Sequence, residues 1–179
     1  MYRLFAGVAL PDDIALRLQG MCAGVPGAYW EDPENLHLTL RFIGDVPGDA
    51  AEDIGHALAG VRHAPFDLEM AGVSHFSSGE DVRVLWAGFK KSPALVALRA
   101  RIEAALRRID IEPDGRKFVP HVTLAKLAAP YVPKVQEWLA MHALFKAGPF
   151  AVRAFALYSS HRTSHGTRYE QEADFMLRP

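Results

Sequence analysis

The spacing of apolar and polar residues along the chain changes repeatedly between a strand period and a helix period. Alternating or short apolar runs predict strands over residues 2–10, 35–43, 66–76, 82–89, 117–127, 150–158 and 169–177. Helical spacing predicts helices after Pro11 and over residues 48–60, 92–109 and 133–143. The polar loop 77–80 makes the third and fourth strands a hairpin-like pair, so we expect an α+β fold with antiparallel sheets.

The first and third helices have distinct sequence signals at their starts. Asp12 or Asp13 is a candidate cap for the first helix, and Ser92 with Pro93 is a cap and first-turn pair for the third. The first helix carries the apolar residues Ile14, Leu16, Leu18 and Met21.

Composition is consistent with a single domain over residues 1–179 that needs no disulfide or metal to fold. Half of the residues are apolar, and a chain of this length buries ~70% of its unfolded surface. Lys and Arg number 20 against 21 Asp and Glu, a net charge of −1 that argues against long duplex binding. A partner that presents one or two phosphates stays compatible with this charge.

The lone cysteine and the lengths of the apolar runs indicate the cellular compartment of the protein. Cys22 can form neither an internal disulfide nor a cysteine-rich zinc site, and its apolar neighbours favour a buried structural thiol. No apolar run reaches the ~20 residues of a membrane-spanning helix, and the start lacks the features of a signal peptide. We expect a cytoplasmic protein without membrane contact.

A four-residue motif occurs twice, 84 residues apart. His37-Leu38-Thr39-Leu40 and His121-Val122-Thr123-Leu124 both lie on predicted strands. Side chains alternate along a strand, so the histidine and threonine of each motif share one face and its apolar residues share the other. A repeat near half the chain length predicts two similar lobes, each an antiparallel sheet with helices outside, which face each other across a central cleft.

Two imidazoles and two hydroxyls that converge in a cleft suit the binding and cleavage of a phosphodiester. One neutral and one protonated histidine can act as general base and general acid near neutral pH, without a metal or another cofactor. A single motif would more simply be a half-buried strand whose histidine bonds a carbonyl. Two matching motifs favour catalysis.

These segments resemble a known family. Residues 35–44 and 118–125 look like the paired signatures of the two-histidine (2H) phosphoesterases. Residues 3–6, 84–88, 157–160 and 167–169 resemble its RNA 2′,3′-cyclic phosphodiesterase branch, formerly called 2′-5′ RNA ligase. The resemblance spans nearly the whole chain.

The resemblance implies opening of a terminal 2′,3′-cyclic phosphate of RNA to a 2′-phosphate, with no cofactor. In some members it also implies reversible 2′-5′ joining of tRNA halves. His37 would be the general acid, His121 the general base, and Thr39 and Thr123 would bind the phosphate. We expect a monomer.

One position departs from the family pattern. Five residues after its histidine, the second signature of the family usually has Arg, whereas this chain has Lys126; Phe42 holds the matching place in the first motif. In the family this aromatic ring and this guanidinium lie on either side of the terminal base. Lys126 would keep a cation near Phe42 but lose planar stacking. Simple alternation puts both residues opposite their histidines, so they reach the cleft only through a bulge or a strand end.

Other polar and aromatic residues carry weaker signals. A solvated loop is the simpler interpretation of the basic group His161, Arg162, His165 and Arg168, although RNA contact is an alternative. The arginines of the third helix, residues 99, 101, 107 and 108, are interpreted as a solvated face, and the three tryptophans as core.

Three alternatives stay open. The same histidine pair suits other substrates: a cyclic nucleotide, ADP-ribose 1″,2″-cyclic phosphate, or a 2′-5′ linkage. The chain can also be a non-catalytic module that binds RNA ends. A metal-dependent phosphoesterase is least favoured, because no Asp or Glu cluster accompanies either histidine in the sequence.

Overall fold

The computed structural model describes residues 1–129, 132–164 and 166–179. In these residues the strands are β1 (Tyr2–Ala9), β2 (Ala28–Trp30), β3 (His37–Val46), β4 (Phe66–Ser78), β5 (Asp81–Phe89), β6 (His121–Leu127), β7 (Lys146–Val152), β8 (Ala154–Thr163) and β9 (Gly166–Met176). The helices are α1 (Asp12–Gln19), α2 (Gly48–Ala59), α3 (Pro93–Arg107) and α4 (Val132–His142), with a short 3-10 turn at Pro33–Asn35.

The strands form two antiparallel sheets, which confirms the predicted α+β class. The first sheet has the order β3-β1-β8-β9 and the second the order β2-β6-β5-β4-β7. One histidine motif begins β3 of the first sheet, and the other begins β6 of the second. The sheets are not successive halves of the chain, however. The early strand β2 joins the second sheet, and the last two strands join the first.

The apolar core consists of two clusters. The first is built mainly on the first sheet with α2 and α3, and Leu68 of β4 and Val152 of β7 also contribute to it; the second is built on the second sheet with α1 and α4. Leu38 and Leu40 of β3 pack with Leu98 and Ile102 of α3 in the first cluster. In the second cluster Trp138 of α4 packs among side chains of α1 and the second sheet, and its Nε1 donates a hydrogen bond of 2.8 Å to the carbonyl of Met21. The apolar faces of β3 and β6 are therefore buried, which leaves their histidine faces for the space between the sheets.

The predicted strand 150–158 is wrong as one element. The structure divides it into the end of β7 and the start of β8, with a break at Arg153. The two pieces belong to different sheets, since β7 pairs with β4 and β8 pairs with β1. A continuous apolar pattern cannot show that the chain crosses from one sheet to the other.

Several element boundaries and positions also differ from the prediction. The strand predicted from residue 117 begins at His121, and the short β2 was not predicted. In α1 neither aspartate caps the helix, whose N-cap is Pro11 without a side-chain bond. Leu16 is 65% exposed, because the buried stripe follows the helical spacing of Ile14 and Leu18 and leaves Leu16 on the opposite side.

Cys22 is half-buried and its thiol donates to the carbonyl of Leu18 at 3.3 Å. Burial raises the pKa of this thiol to about 11, which disfavours the reactive thiolate.

Among the described helices, none is long and apolar enough to cross a membrane.

Candidate active site

A β-bulge follows the threonine in each histidine motif. Between β1 and β3, Gly7 faces Thr39 and Ala6 faces Arg41, so Leu40 is an extra residue in β3. Two successive buried residues, Leu40 and Arg41, then precede the exposed Phe42. The bulge therefore returns Phe42 to the face that carries His37 and Thr39.

The second motif has the same irregularity at the same place. Between β5 and β6, Trp86 faces Thr123 and Leu85 faces Ala125, so Leu124 is the extra residue. Lys126 consequently lies on the face of His121, as Phe42 does on the face of His37. The two bulges therefore bring Phe42 and Lys126 to the cleft, which simple alternation along the strands would not do.

One cavity of about 410 Å³ gathers the six residues singled out from the sequence. Its lining consists of Glu31, Asn35, His37, Thr39, Leu40, Arg41, Phe42, Phe76, Arg99, Asp114, Arg116, Lys117, Phe118, Val119, His121, Thr123, Lys126 and Tyr169. Both histidines and both threonines can thus contact one small ligand. The roles of these residues in binding and catalysis stay predictions.

His37 is held by hydrogen bonds on both ring nitrogens and by aromatic rings. Its Nδ1 lies 2.6 Å from the carbonyl oxygen of Asn35, and its Nε2 lies 2.8 Å from Oγ1 of Thr39. A carbonyl oxygen only accepts, so Nδ1 is the protonated nitrogen of the neutral ring and Nε2 carries the lone pair. The ring of Phe5 stacks on His37 at 4.7 Å, and Tyr169 meets it edge-on at 5.0 Å.

His121 has a matching environment in the second sheet. Its Nδ1 lies 2.7 Å from the carbonyl oxygen of Val119, again two residues before the histidine. Phe76 meets its ring edge-on at 4.8 Å, and Trp86 packs at 5.6 Å. Trp86 is half-buried beside this histidine rather than within the core that its sequence neighbours predicted. Both imidazoles therefore present Nε2 as the nitrogen available for proton transfer.

Both imidazoles are biased toward the neutral form. Burial lowers the pKa of His37 below its ordinary value of 6.5, against the opposing effect of its bond to the Asn35 carbonyl, and the charge of His121 lowers it further. Burial likewise lowers the pKa of His121, against the effect of the Val119 carbonyl. A neutral imidazole is ready to act as a general base, and a bound anion would favour protonation of the other.

Lys126 is paired with a carboxylate that the sequence did not single out. Its Nζ lies 2.8 Å from Oε1 of Glu31, just after β2, and the lysine side chain is 56% exposed. Partial burial acts to lower the pKa of Lys126, but the hydrogen bond and charge of Glu31 outweigh it and the pKa is raised. Lys126 is therefore a fixed, protonated group at the cavity.

The solvated face expected for the third helix is wrong for Arg99. Its Nε donates to the carbonyl of Leu40 at 3.3 Å, and its guanidinium lies 4.8 Å from the centre of the Phe118 ring. Arg99 shares Glu103 with Arg41, whose Nε lies 2.6 Å from the carboxylate. The sequence of α3 alone could not show that this face of the helix packs against the bulge of β3.

The basic loop lies on the β8–β9 hairpin, outside the cavity lining. His165 falls outside the described residues. In the described part of the chain, one group of three side chains has metal-ligand atoms within 4.8 Å of one another: the exposed His161, Glu170 and Glu172. Neither motif histidine belongs to this group.

Two antiparallel sheets that present paired His-x-Thr strands to one cavity define the class of the two-histidine phosphoesterases. The chain belongs to the 2′-5′ RNA ligase superfamily, whose family model matches residues 10–164. The family predicted from the motifs is thereby confirmed.

Individual relatives agree with this membership over most of their length. The chain is 34% identical over 149 residues to an RNA 2′,3′-cyclic phosphodiesterase of Aeropyrum pernix, covering 82% of this chain and 84% of the relative. It is 29% identical over 171 residues to a protein of the same name from Archaeoglobus fulgidus, covering 94% and 96%. The crystal structure of E. coli LigT complexed with 3′-AMP superimposes with a TM-score of 0.81 at 26% identity, covering 98% of both chains.

Proposed function

We propose that this protein hydrolyses a terminal 2′,3′-cyclic phosphate of RNA to a 2′-phosphate by acid–base catalysis with two histidines. The observation that carries the proposal is the convergence of His37 and His121 on one cavity, each with Nδ1 donating to a carbonyl, so that Nε2 of the neutral ring is the nitrogen that can take up a proton. The relatives named RNA 2′,3′-cyclic phosphodiesterase support the substrate class.

In this mechanism His121 is the general base and His37 the general acid. His121 removes a proton from water as its oxygen attacks phosphorus, and the bond between phosphorus and O3′ breaks. Protonated His37 gives its proton to O3′, so the phosphate stays on O2′. Proton exchange with solvent then restores the starting protonation of both rings.

The hydroxyl groups of the two threonines would bind the phosphate. Thr39 already lies 2.8 Å from Nε2 of His37, which places a hydroxyl beside the reacting nitrogen. Thr123 holds the same place in the second motif. Hydrogen bonds to a charged phosphate are among the stronger ones in proteins, at about 1.5–3 kcal/mol each.

The cavity limits how much of an RNA the site can enclose. A volume of about 410 Å³ fits a terminal nucleotide and leaves the rest of the RNA outside. RNA ends such as tRNA halves are the partners we propose, with reversible 2′-5′ joining as a further activity. The monomeric state and the cytoplasmic location stay predictions from the sequence.

The decisive experiment uses an RNA oligonucleotide that ends in a 2′,3′-cyclic phosphate, incubated with the protein in the presence of EDTA. We expect hydrolysis to a product with a 2′-phosphate, identified by ³¹P NMR. A 3′-phosphate product would overturn the assignment of the leaving oxygen. Turnover that EDTA abolishes would indicate a metal-dependent enzyme, and binding without turnover would indicate a module that only recognises RNA ends.

A further inference from the structure

One residue binds both the histidine of the first motif and a distant hairpin. Asn35 ends the short turn before β3, and its main-chain carbonyl accepts the Nδ1 hydrogen of His37 at 2.6 Å. Its side-chain Nδ2 donates at 2.7 Å to the main-chain carbonyl of Thr167 in β9. Asn35 is 9% exposed and lines the cavity, so both hydrogen bonds lie at the wall of the site.

The pairing with β1 does not hold the end of the β8–β9 hairpin. Within the described residues, the pairing of β8 with β1 ends at Ser159, which lies opposite Leu4. In β9, Thr167 and Tyr169 pair with residues of β8 that lie beyond that point. The amide of Asn35 therefore binds a part of the hairpin that extends past β1.

This part of the hairpin forms one side of the surroundings of His37. Tyr169, two residues after Thr167, meets the His37 ring edge-on at 5.0 Å and the Phe5 ring edge-on at 5.0 Å. Tyr169 also lines the cavity. Movement of the hairpin would remove this ring from His37 but leave the bond to the Asn35 carbonyl in place. The orientation of the imidazole plane therefore depends on where the hairpin lies.

The second motif shows that the carbonyl and the amide of Asn35 have separate tasks. Val119 accepts from Nδ1 of His121 at 2.7 Å through its main-chain carbonyl, and its apolar side chain has no hydrogen to donate. A main-chain carbonyl is present in every residue, so orienting Nδ1 does not require an asparagine. The amide of Asn35 thus serves the hairpin, and its bond to Thr167 offsets the cost of burying it.

We propose that Asn35 is a positioning residue of the first motif: its amide holds the β8–β9 hairpin so that Tyr169 keeps the His37 imidazole oriented for proton transfer. The inference rests on the proposed function, because it takes His37 as the proton donor to the leaving oxygen. Asn35 itself transfers no proton. Misplacement of a reacting group by about 1 Å can cost ~10²-fold in rate, so a loosened hairpin would lower turnover with every catalytic group still present.

Hydrogen exchange of the free protein tests the hairpin contact without a substrate. Asn35→Val gives the first motif the residue that the second has at this place, so the variant keeps the carbonyl and loses the amide. We expect peptides within residues 166–176 to exchange at least about threefold faster, with the exchange of β4 and β5 unchanged. Glu34→Ala, at an exposed position in the same turn, is the control and should exchange as the wild type does. Asn35→Ala repeats the measurement with a smaller side chain.

Turnover of the cyclic-phosphate oligonucleotide tests the link from Asn35 to His37. Asn35→Val should lower kcat about tenfold and change KM less than about threefold, because the loss is in orientation rather than in binding. Tyr169→Leu removes the ring through which Asn35 acts. In that variant the further change Asn35→Val should lower kcat by less than about twofold.

Three results would overturn the proposal: unchanged hairpin exchange in Asn35→Val and Asn35→Ala, faster exchange spread through both sheets, or losses of kcat that multiply in the double variant. Normal kcat in Asn35→Val would also overturn it. A wild type that hydrolyses no cyclic phosphate would instead refute the proposed function, while the exchange measurement still decides whether Asn35 holds the hairpin.

Discussion

Each motif histidine donates its Nδ1 proton to the carbonyl of the residue two positions before it. The acceptor is the carbonyl of Asn35 for His37 and the carbonyl of Val119 for His121. The donor lies at the start of a strand and the acceptor just outside it, so the local backbone sets the tautomer. The motif in the sequence identified the histidines, but their supporting rings come from distant segments. Phe76 and Tyr169 are therefore not predictable from the residues around either motif.

At this scale the roles of the histidines make a direct prediction. His37→Ala and His121→Ala should each lower kcat by ~10²–10⁴-fold, the usual contribution of a general acid or base. Turnover of the cyclic-phosphate oligonucleotide measures the loss, and circular dichroism checks that the variants are folded. His56→Ala, an exposed histidine on α2, is the control and should leave kcat unchanged. Near-normal turnover by either motif variant would contradict the mechanism.

The pH dependence follows from the direction of the two pKa shifts. The proposed mechanism needs one protonated and one neutral imidazole, and this form is most populated between the two pKa values. Burial lowers both below 6.5, so kcat/KM, which reports the free enzyme, should be maximal below pH 6.5 and fall as pH rises. The bound anion stabilises an imidazolium, so the maximum of kcat should lie at higher pH. A kcat/KM maximum above pH 7 would contradict these environments.

At the scale of the elements, the bulges decide which residues reach the cavity. Period-2 alternation correctly placed His37 and Thr39 on one face and Leu38 on the other. It fails after Leu40, because an extra residue in a strand changes the face of everything that follows. The extra residue is visible only in the pairing with β1. Two apolar residues in a row would have been a hint in β6, but not in β3, where the second is Arg41.

Arg41 joins β3 to α3 and predicts an effect on stability. The residue is 5% exposed, and its Nε and the Glu103 carboxylate oxygen at 2.6 Å have no hydrogen-bond partner among the described residues, so charge holds the pair. Removing one member of a buried ion pair leaves an uncompensated charge. Arg41→Met should therefore lower the free energy of unfolding by about 3 kcal/mol in urea titrations.

A second variant separates the charge effect from packing. Glu103 keeps Arg99 as a partner at 3.5 Å, which limits the loss in Arg41→Met. The double variant Arg41→Met, Glu103→Leu should be less destabilised than the sum of the two single variants, because it leaves neither of the paired charges alone. Strict additivity would indicate that the two side chains do not interact.

At the scale of the whole molecule, strands from both ends of the chain build the first sheet. β1 pairs with β3 on one side and with β8 on the other, and β9 lies at the edge. The duplicated motif predicted two lobes that share a cleft, and this arrangement is seen. The sequence could not show which sheet each strand joins. β2 is only three residues long, and β7 and β8 follow each other as one strand-like pattern, so none of the three carries a signal for its pairing partner. The crossing at Arg153 is the clearest case.

Deletion of residues 154–179 should accordingly abolish the folded state rather than trim it. The deletion removes two of the four strands of the first sheet, together with the buried Phe155, Leu157 and Leu177. We expect no cooperative thermal transition for this variant, whereas deletion of the exposed Pro179 alone should leave the transition unchanged. A cooperative transition in the long deletion would show that the N-terminal part folds independently.

The same interleaving has a consequence during synthesis on the ribosome. From Val46 at the end of β3 to Thr163 at the end of β8, the strand that covers the other edge of β1, about 120 residues must still be added, which takes on the order of ten seconds at ~5–20 residues per second. Throughout that interval β1 offers an open edge that a second nascent chain can pair with. Tyr169, which closes one side of His37, is among the last residues made. The open edge of β1 is therefore a site for mispairing between nascent chains during most of synthesis, and the surroundings of His37 are complete only after the last hairpin has been added.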